Sequence, residues 1–275
     1  MPLIIAATDF SLLSDNAANY ACQLALAQNA RITIIHSFVF PVMFSDIPLP
    51  ATLINETTDD LDAQMKKLVG GLSMSYPGLD IQGVVLDGDL ISSLEGYTQK
   101  NEDPWLVVLG NSNTGEYNTW ESNMLAAFKS LKFPVLAIPP EAAYKPVKKI
   151  CLAFDNKHKG NDLAFTQLRD LSIALNVDLE ILNAQIDVLN RDNLPITDEQ
   201  AQIILAPANP HFHVVYNSSI DTAIASFTSS NNIDWLALIP RKHSFFEGLF
   251  HKSQSKALAH HAHIPVLALH ETQTT

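Results

Sequence analysis

Short, nearly unbroken apolar runs alternate with longer amphipathic stretches along the whole chain. In the first half LIIAAT, ITIIHSF, IQGVVLD, WLVVLG and PVLAIP read as five strands. Runs this apolar belong to parallel strands covered on both faces, because an alternating pattern would leave one face in water. Between them lie helical stretches at 14–28, 56–74, 89–99 and 121–131; the first places Ala17, Ala18, Ala21, Leu24 and Ala25 on one face. The second half gives strands near 149–154, 178–183, 212–216, 235–239 and 265–269. Its helices fall near 161–175, 219–230 and 253–262, with a weaker one near 197–206. Strands and helices in strict alternation, joined by right-handed crossovers, make a doubly wound α/β sheet.

The pattern also repeats. PVLAIP at 134–139 returns as PVLALH at 265–270, DPWLVVLG at 103–110 as IDWLALIP at 233–240, and LIIAATD at 3–9 as KICLAFD at 149–155. Three paired segments in one order indicate an internal duplication, and two copies are too few for a solenoid. Each copy is therefore expected to be a domain, 1–141 and 147–272, with the proline-rich and charged PPEAAYKPVKK (139–149) as the link.

Composition narrows the partners. At 275 residues with 47% hydrophobic and 17% charged residues, the chain can bury two ordinary cores. A formal charge of −12 opposes nucleic acid, whose phosphates would be repelled at long range. Cys22 and Cys151 lie in apolar settings and read as small buried hydrophobes rather than a disulfide. MPLIIAATDF lacks a basic region and its apolar run stops at Asp9, too short for a signal peptide. No window approaches the roughly 20 apolar residues of a membrane span, so a cytoplasmic protein is expected.

Doubly wound sheets hold ligands at the carboxyl ends of strands where the strand order reverses, which directs attention to the loops after strands 1 and 4. The first reads TDFSLLSDNAANYACQLA: Asp9 and the serines suit a turn and a helix cap, the reading favoured locally, and the functional alternative places the Asp9 carboxylate on the polar edge of a purine or ribose. The second reads GNSNTGEYNTWESNMLAAF. Its glycines let backbone amides approach phosphate oxygens, and Ser122 at a helix start adds a hydroxyl donor.

Together with FPVLAIP, these two loops resemble a universal stress protein domain, and the chain resembles a tandem member over nearly all its length. The resemblance implies two five-stranded, Rossmann-like, adenine nucleotide alpha hydrolase-like domains paired through their last strands as an internal pseudo-dimer, which further homodimerisation would extend. It implies a non-catalytic stress-response protein that senses an adenine nucleotide, with ATP and magnesium as the cofactors to test. The residues implicated in the first copy are Asp9, Ile35, Gly110, Gly115, Ser122 and Asn123. Here the sequence departs from the family's G-x2-G-x9-G-[ST] loop: Asn113 and Glu121 stand at glycine positions, and the interval from Gly110 is short. Two alternatives stand beside this reading. One is a scaffold with self-filled sites that acts through an unknown protein partner; the other is a weak metal-assisted ATP hydrolase.

In the second copy the equivalent loop is IPRKHSFFEGLFHKS (239–253), where Pro240 replaces the first glycine. Asp155, Arg241, Lys242, Lys252 and Ser253 are candidates for holding an anion by side chains rather than backbone, while Phe245, Phe246 and Phe250 suit a hydrophobic plug, the favoured reading. His260 and His263 could share a helix face as weak metal candidates, but no H-x3-H or H-E-x2-H spacing supports them.

Overall fold

The computed structural model describes residues 1–40, 51–110, 119–154, 161–185, 199–217, 219–240 and 264–270. In the first half β1 (Leu3–Ala7), β2 (Arg31–Phe38), β3 (Ile81–Asp87), β4 (Leu106–Gly110) and β5 (Val135–Ile138) alternate with four helices. These are α1 (Leu12–Ala27), α2 (Ala51–Ser75), α3 (Leu90–Lys100) and α4 (Thr119–Ser130). The second half contributes β6 (Lys149–Phe154), β7 (Asp178–Gln185), β8 (His211–Tyr216), β9 (Trp235–Leu238) and β10 (Val266–Ala268). Its helices are α5 (Asp162–Leu175), α6 (Glu199–Leu205), extended by a 3-10 turn at Ala206–Ala208, and α7 (Ile220–Ser230). The helix expected at 253–262 lies outside the described residues.

All ten strands join one sheet in the order β3-β2-β1-β4-β5-β10-β9-β6-β7-β8. Each half has its first strand flanked by its second and fourth, so the strand order reverses beside β1 and again beside β6. Every pairing within a half is parallel. The two halves meet where β5 and β10 pair antiparallel, with Leu136 opposite Leu267. The internal pairing through the last strands is thus present. It removes two apolar edges that would otherwise template aggregation. Val135, Leu136, Leu267 and Ala268 are all fully buried there, and a buried Val or Leu side chain contributes about 1.5–3 kcal/mol.

Side-chain alternation sorts the core into two layers. Ile4 and Ala6 of β1, Ile32 and Ile34 of β2, and Leu179 and Ile181 of β7 face α1, α2, α5 and α6. Their neighbours Leu3, Ile5, Ile35 and Leu182 face α3, α4 and α7. The small residues of α1 (Ala17, Ala18, Ala21 and Ala25, all buried) bring that helix close to the sheet.

Contacts across the seam are asymmetric. The Trp235 Nε1–H of β9 donates to the Tyr20 hydroxyl of α1 at 2.8 Å, with both rings buried. Asn16 Nδ2 of α1 holds the linker through the carbonyls of Pro139 (3.1 Å) and Ala142 (3.2 Å). At the linker's far end the buried Asp234 carboxylate accepts from the Lys148 and Lys149 amides and pairs with Lys145 at 2.6 Å. Gln167 of α5 bridges the halves, donating to the Lys132 carbonyl (2.7 Å) and accepting from the His270 amide (3.2 Å).

Candidate functional site

Asp9 follows the end of β1 and Gly110 ends β4, while Ile35 lies within the neighbouring β2, paired with Ala7, the last residue of β1. Ser122 and Asn123 fall early in α4, the helix that follows β4. Gly115 lies outside the described residues.

Local chemistry explains the turn after β1. The Thr8 amide donates to the Ile35 carbonyl at 2.8 Å, continuing the ladder one residue past the strand. The Thr8 hydroxyl is buried within 3.0 Å of the Ser14 hydroxyl and accepts from the Phe10 amide at 2.9 Å. That bond holds Phe10 at a φ of 60°, a left-handed conformation uncommon for a bulky residue. Asp9 is exposed, and its Oδ1 accepts from the Ser11 amide at 3.0 Å, the self-bonded turn that Asp favours. Ser11 is the helix cap, its hydroxyl accepting from the Ser14 amide at 3.3 Å. Ser14 therefore lies inside the first turn of α1 rather than before it, its Oγ donating to the Ser11 carbonyl at 2.9 Å. Nearby, burial and then the Asp9 charge push the Asp15 carboxyl above its usual range. Two carboxylates at one edge oppose a polyphosphate unless a cation screens them.

His36 is the residue sequence reasoning missed. It lies beside Thr8 on β2 and its Nδ1 is 2.8 Å from the Thr8 carbonyl. A carbonyl can only accept, so Nδ1 carries a proton and donates it to Thr8. Its ring packs 4.5 Å from that of Phe10, and the Phe38 ring stacks parallel beyond it at 6.4 Å. The only local signal was a histidine ending an otherwise apolar run.

Gly110 has a structural reason to be glycine. A Cβ there would lie 2.9 Å from the Leu13 carbonyl oxygen and 3.3 Å from the Ser14 amide. The first turn of α1 thus rests on β4, and both candidate loops share one packing contact.

In the second half the register matches closely. Leu3 pairs with Arg31 and Lys149 with Asp178, so Thr8 and His36 correspond to Phe154 and Asn183. Phe154 packs edge-on against Phe165 of α5 at 5.3 Å. Asp155, Arg241, Lys242, Lys252, Ser253, His260 and His263 lie outside the described residues. On the opposite face, near the sheet edge, the buried Glu180 is bonded by His213 Nε2 at 2.6 Å, with His211 Nδ1 at 3.7 Å. Among the described residues no three His, Cys, Asp or Glu side chains are placed to hold a metal ion. Burial alone pushes the Cys22 thiol up to about 12, and burial with the Glu180 charge pushes Cys151 higher still, so both are inert thiols. Among the described residues no helix is long and apolar enough to cross a membrane.

Comparison with known proteins agrees with this architecture. The Universal stress protein family matches the chain twice, over residues 2–139 and 146–270. A universal stress protein from Archaeoglobus fulgidus DSM 4304 superposes with a TM-score of 0.67 at 13% identity, covering 100% of this chain and 98% of that one. A putative universal stress protein from Pseudomonas aeruginosa UCBPP-PA14 gives 0.52 at 12% identity, covering 98% and 94%. At such identities the likeness shows the fold alone. No curated protein matches in sequence. The two family matches, in a chain whose halves repeat one strand order and pair through their last strands, make it a tandem member of the universal stress protein family.

Proposed function

We propose that the chain is a non-catalytic regulatory protein of stress responses whose first half senses an adenine nucleotide, with magnesium as the cation. The observation that carries this reading is that Asp9, Gly110 and, one strand away, Ile35 lie beside the first half's reversal of strand order, with α4 following β4. Asp9 offers a carboxylate to ribose or purine donors, Ile35 an apolar floor, and Ser122 and Asn123 hydrogen-bonding groups for phosphate. Carboxylates at this edge, Asp9 exposed and Asp15 near it, are why the reading pairs the nucleotide with a cation.

A second reading has its own support. The Asp9–Ser11 bond and the contact of Leu13 over Gly110 account for both residues without a ligand. On that reading the protein is a scaffold that works through protein contacts. A thermal-shift titration with ATP and magnesium separates the two. The nucleotide reading expects a rise in Tm that Ser122→Ala removes; a flat response at millimolar ATP supports the scaffold. Phosphate release should stay at the level of a blank. Release well above it, abolished by Asp9→Asn, would require the hydrolase reading instead.

A further inference from the structure

Residues 139–149 join the two halves, and they are fixed at three points along their path. At the start the Pro139 carbonyl accepts from the Ala142 amide and from Asn16 Nδ2 of α1, each at 3.1 Å, and Asn16 also reaches the Ala142 carbonyl at 3.2 Å. In the middle Ala142 is buried, while Tyr144 and Val147 pack against the core layer that faces α1 and α5. The Tyr144 ring meets the Tyr20 ring of α1 edge-on at 5.2 Å. At the end the Asp234 carboxylate accepts from the Lys148 and Lys149 amides at 2.8 and 3.0 Å and pairs with Lys145 at 2.6 Å. A linker that only spanned the gap would need none of these bonds, and ordering its backbone costs conformational entropy. Residues 140–145 fall between the two family matches, so the family pattern does not account for this path.

The acceptor at the end of the path sits at a telling place. IDW at 233–235 repeats DPW at 103–105, so Asp234 stands where the first half has Pro104. Its neighbour Trp235 is the residue whose indole donates to Tyr20. Three elements therefore close a ring. The linker is held on α1 through Asn16 and Tyr144, α1 on β9 through Tyr20 and Trp235, and the residue that opens β9 holds the linker in turn. From this ring α1 leads to the first-half edge. Asn16 lies two residues from Ser14, whose hydroxyl bonds Thr8 and whose amide rests close over Gly110 of β4. A helix carries such a constraint along its axis, because its backbone bonds tie each turn to the next.

We propose that the linker is a strap that couples the halves: closed on Asp234 it locks α1 to β9, and released it lets the first turn of α1 open more often. A change at the amino end of β9 then reaches the turn after β1, and a change in that turn reaches the strap, since coupling is reciprocal. The coupling does not depend on whether the first half takes a nucleotide. It gives the second half a means of acting on the first-half edge.

The test is hydrogen exchange followed by mass spectrometry on the full chain. Asp234→Ala removes the strap's acceptor in the second half and leaves the sequence of α1 intact. Amides in a peptide covering residues 11–20 are expected to exchange about tenfold faster. Those of α3, on the opposite face of the sheet, should keep their wild-type rates. Gly110→Ala, which presses on the first turn of α1, should in turn speed exchange of the Lys148 and Lys149 amides. Should Asp234→Ala fail to fold, Trp235→Phe keeps a ring there, loses the N–H donor and is expected to give the same pattern. Unchanged exchange over residues 11–20 overturns the proposal. An equal rise in α3 also overturns it, because that reports global loosening, as does a Gly110→Ala effect that stops short of the strap.

Discussion

The carboxyl edges of the two halves share a register and differ in what they do with polar groups. In the first half Thr8, Ser14 and His36 form a closed network: every hydrogen bond made by the turn after β1 ends on a neighbour a few residues or one strand away. In the second half Phe154 replaces the threonine, Asn183 replaces the histidine, and an amide is left over. A duplicated fold keeps its core because the apolar positions of parallel strands are set by packing on both faces. Its strand ends escape that constraint, and there the halves have separated into a self-satisfied acidic edge and an unsatisfied one beside a basic sequence.

The seam between the halves shows the same divergence and provides the largest expected effect. Trp235 is fully buried and bonded to Tyr20, whereas its counterpart Trp105 is half-buried. Trp235→Ala should lower stability by about 3–5 kcal/mol in a urea titration, with Trp105→Ala well below that. Equal losses would mean that the seam is symmetric after all.

Next comes pH. PVLAIP ends in Pro139 and PVLALH in His270, so a titratable group sits at the end of the last strand only in the second half. Burial lowers the His270 pKa from 6.5 to about 4. Above pH 6.5 both the native and unfolded chains hold a neutral ring and nothing changes. As pH falls from 6.5 towards 4 the unfolded chain binds a proton that the native state refuses, and stability declines by up to about 3 kcal/mol before levelling off. His270→Leu should flatten this part of the pH–stability curve; an unchanged slope would place its origin elsewhere.

Gly110→Ala should be milder. Its methyl would press on the Leu13 carbonyl oxygen at 2.9 Å, a clash with backbone that calls for a shift of α1 and a loss of about 1–3 kcal/mol. The nucleotide response should fall with it. A stable variant with wild-type response would detach Gly110 from both roles. Smallest are Thr8→Val and Ser14→Ala, each near 1 kcal/mol, with the double variant losing less than the sum because the two hydroxyls bond each other. Strict additivity would show that the first-half network is not a unit.

Much of the fold was legible in the chain. Parallel strands buried on both faces announce themselves as unbroken apolar runs, so LIIAAT, WLVVLG and KICLAF fell within a residue or so of β1, β4 and β6. The repeat of PVLA revealed the duplication; that those strands pair came from the family resemblance. The site was legible only in part. Asp9 and Gly110 lie in the loops singled out by the rule that ligands sit where strand order reverses, while Ile35 came from the family resemblance. The first turn of α1 was misplaced because Ser11 and Ser14 are equally good caps by residue type. His36 showed only as a histidine ending an apolar run, and Asn183 gave no local signal, since each is distinguished by a partner, or its lack, on another element. The Tyr20–Trp235 bond spans 215 positions and no periodicity reports it. Gly110 looked like a phosphate glycine, and its steric reason appears only when α1 is laid over β4.

The claim that the halves have divided their roles is tested most directly by isothermal titration of the full chain with ATP and magnesium, in wild type, Asp9→Ala and Asn183→Leu. The expected result is one nucleotide per chain, with binding lost in Asp9→Ala and retained in Asn183→Leu. Contradiction would come from no binding at millimolar ATP, or from binding that ignores Asp9→Ala and disappears in Asn183→Leu.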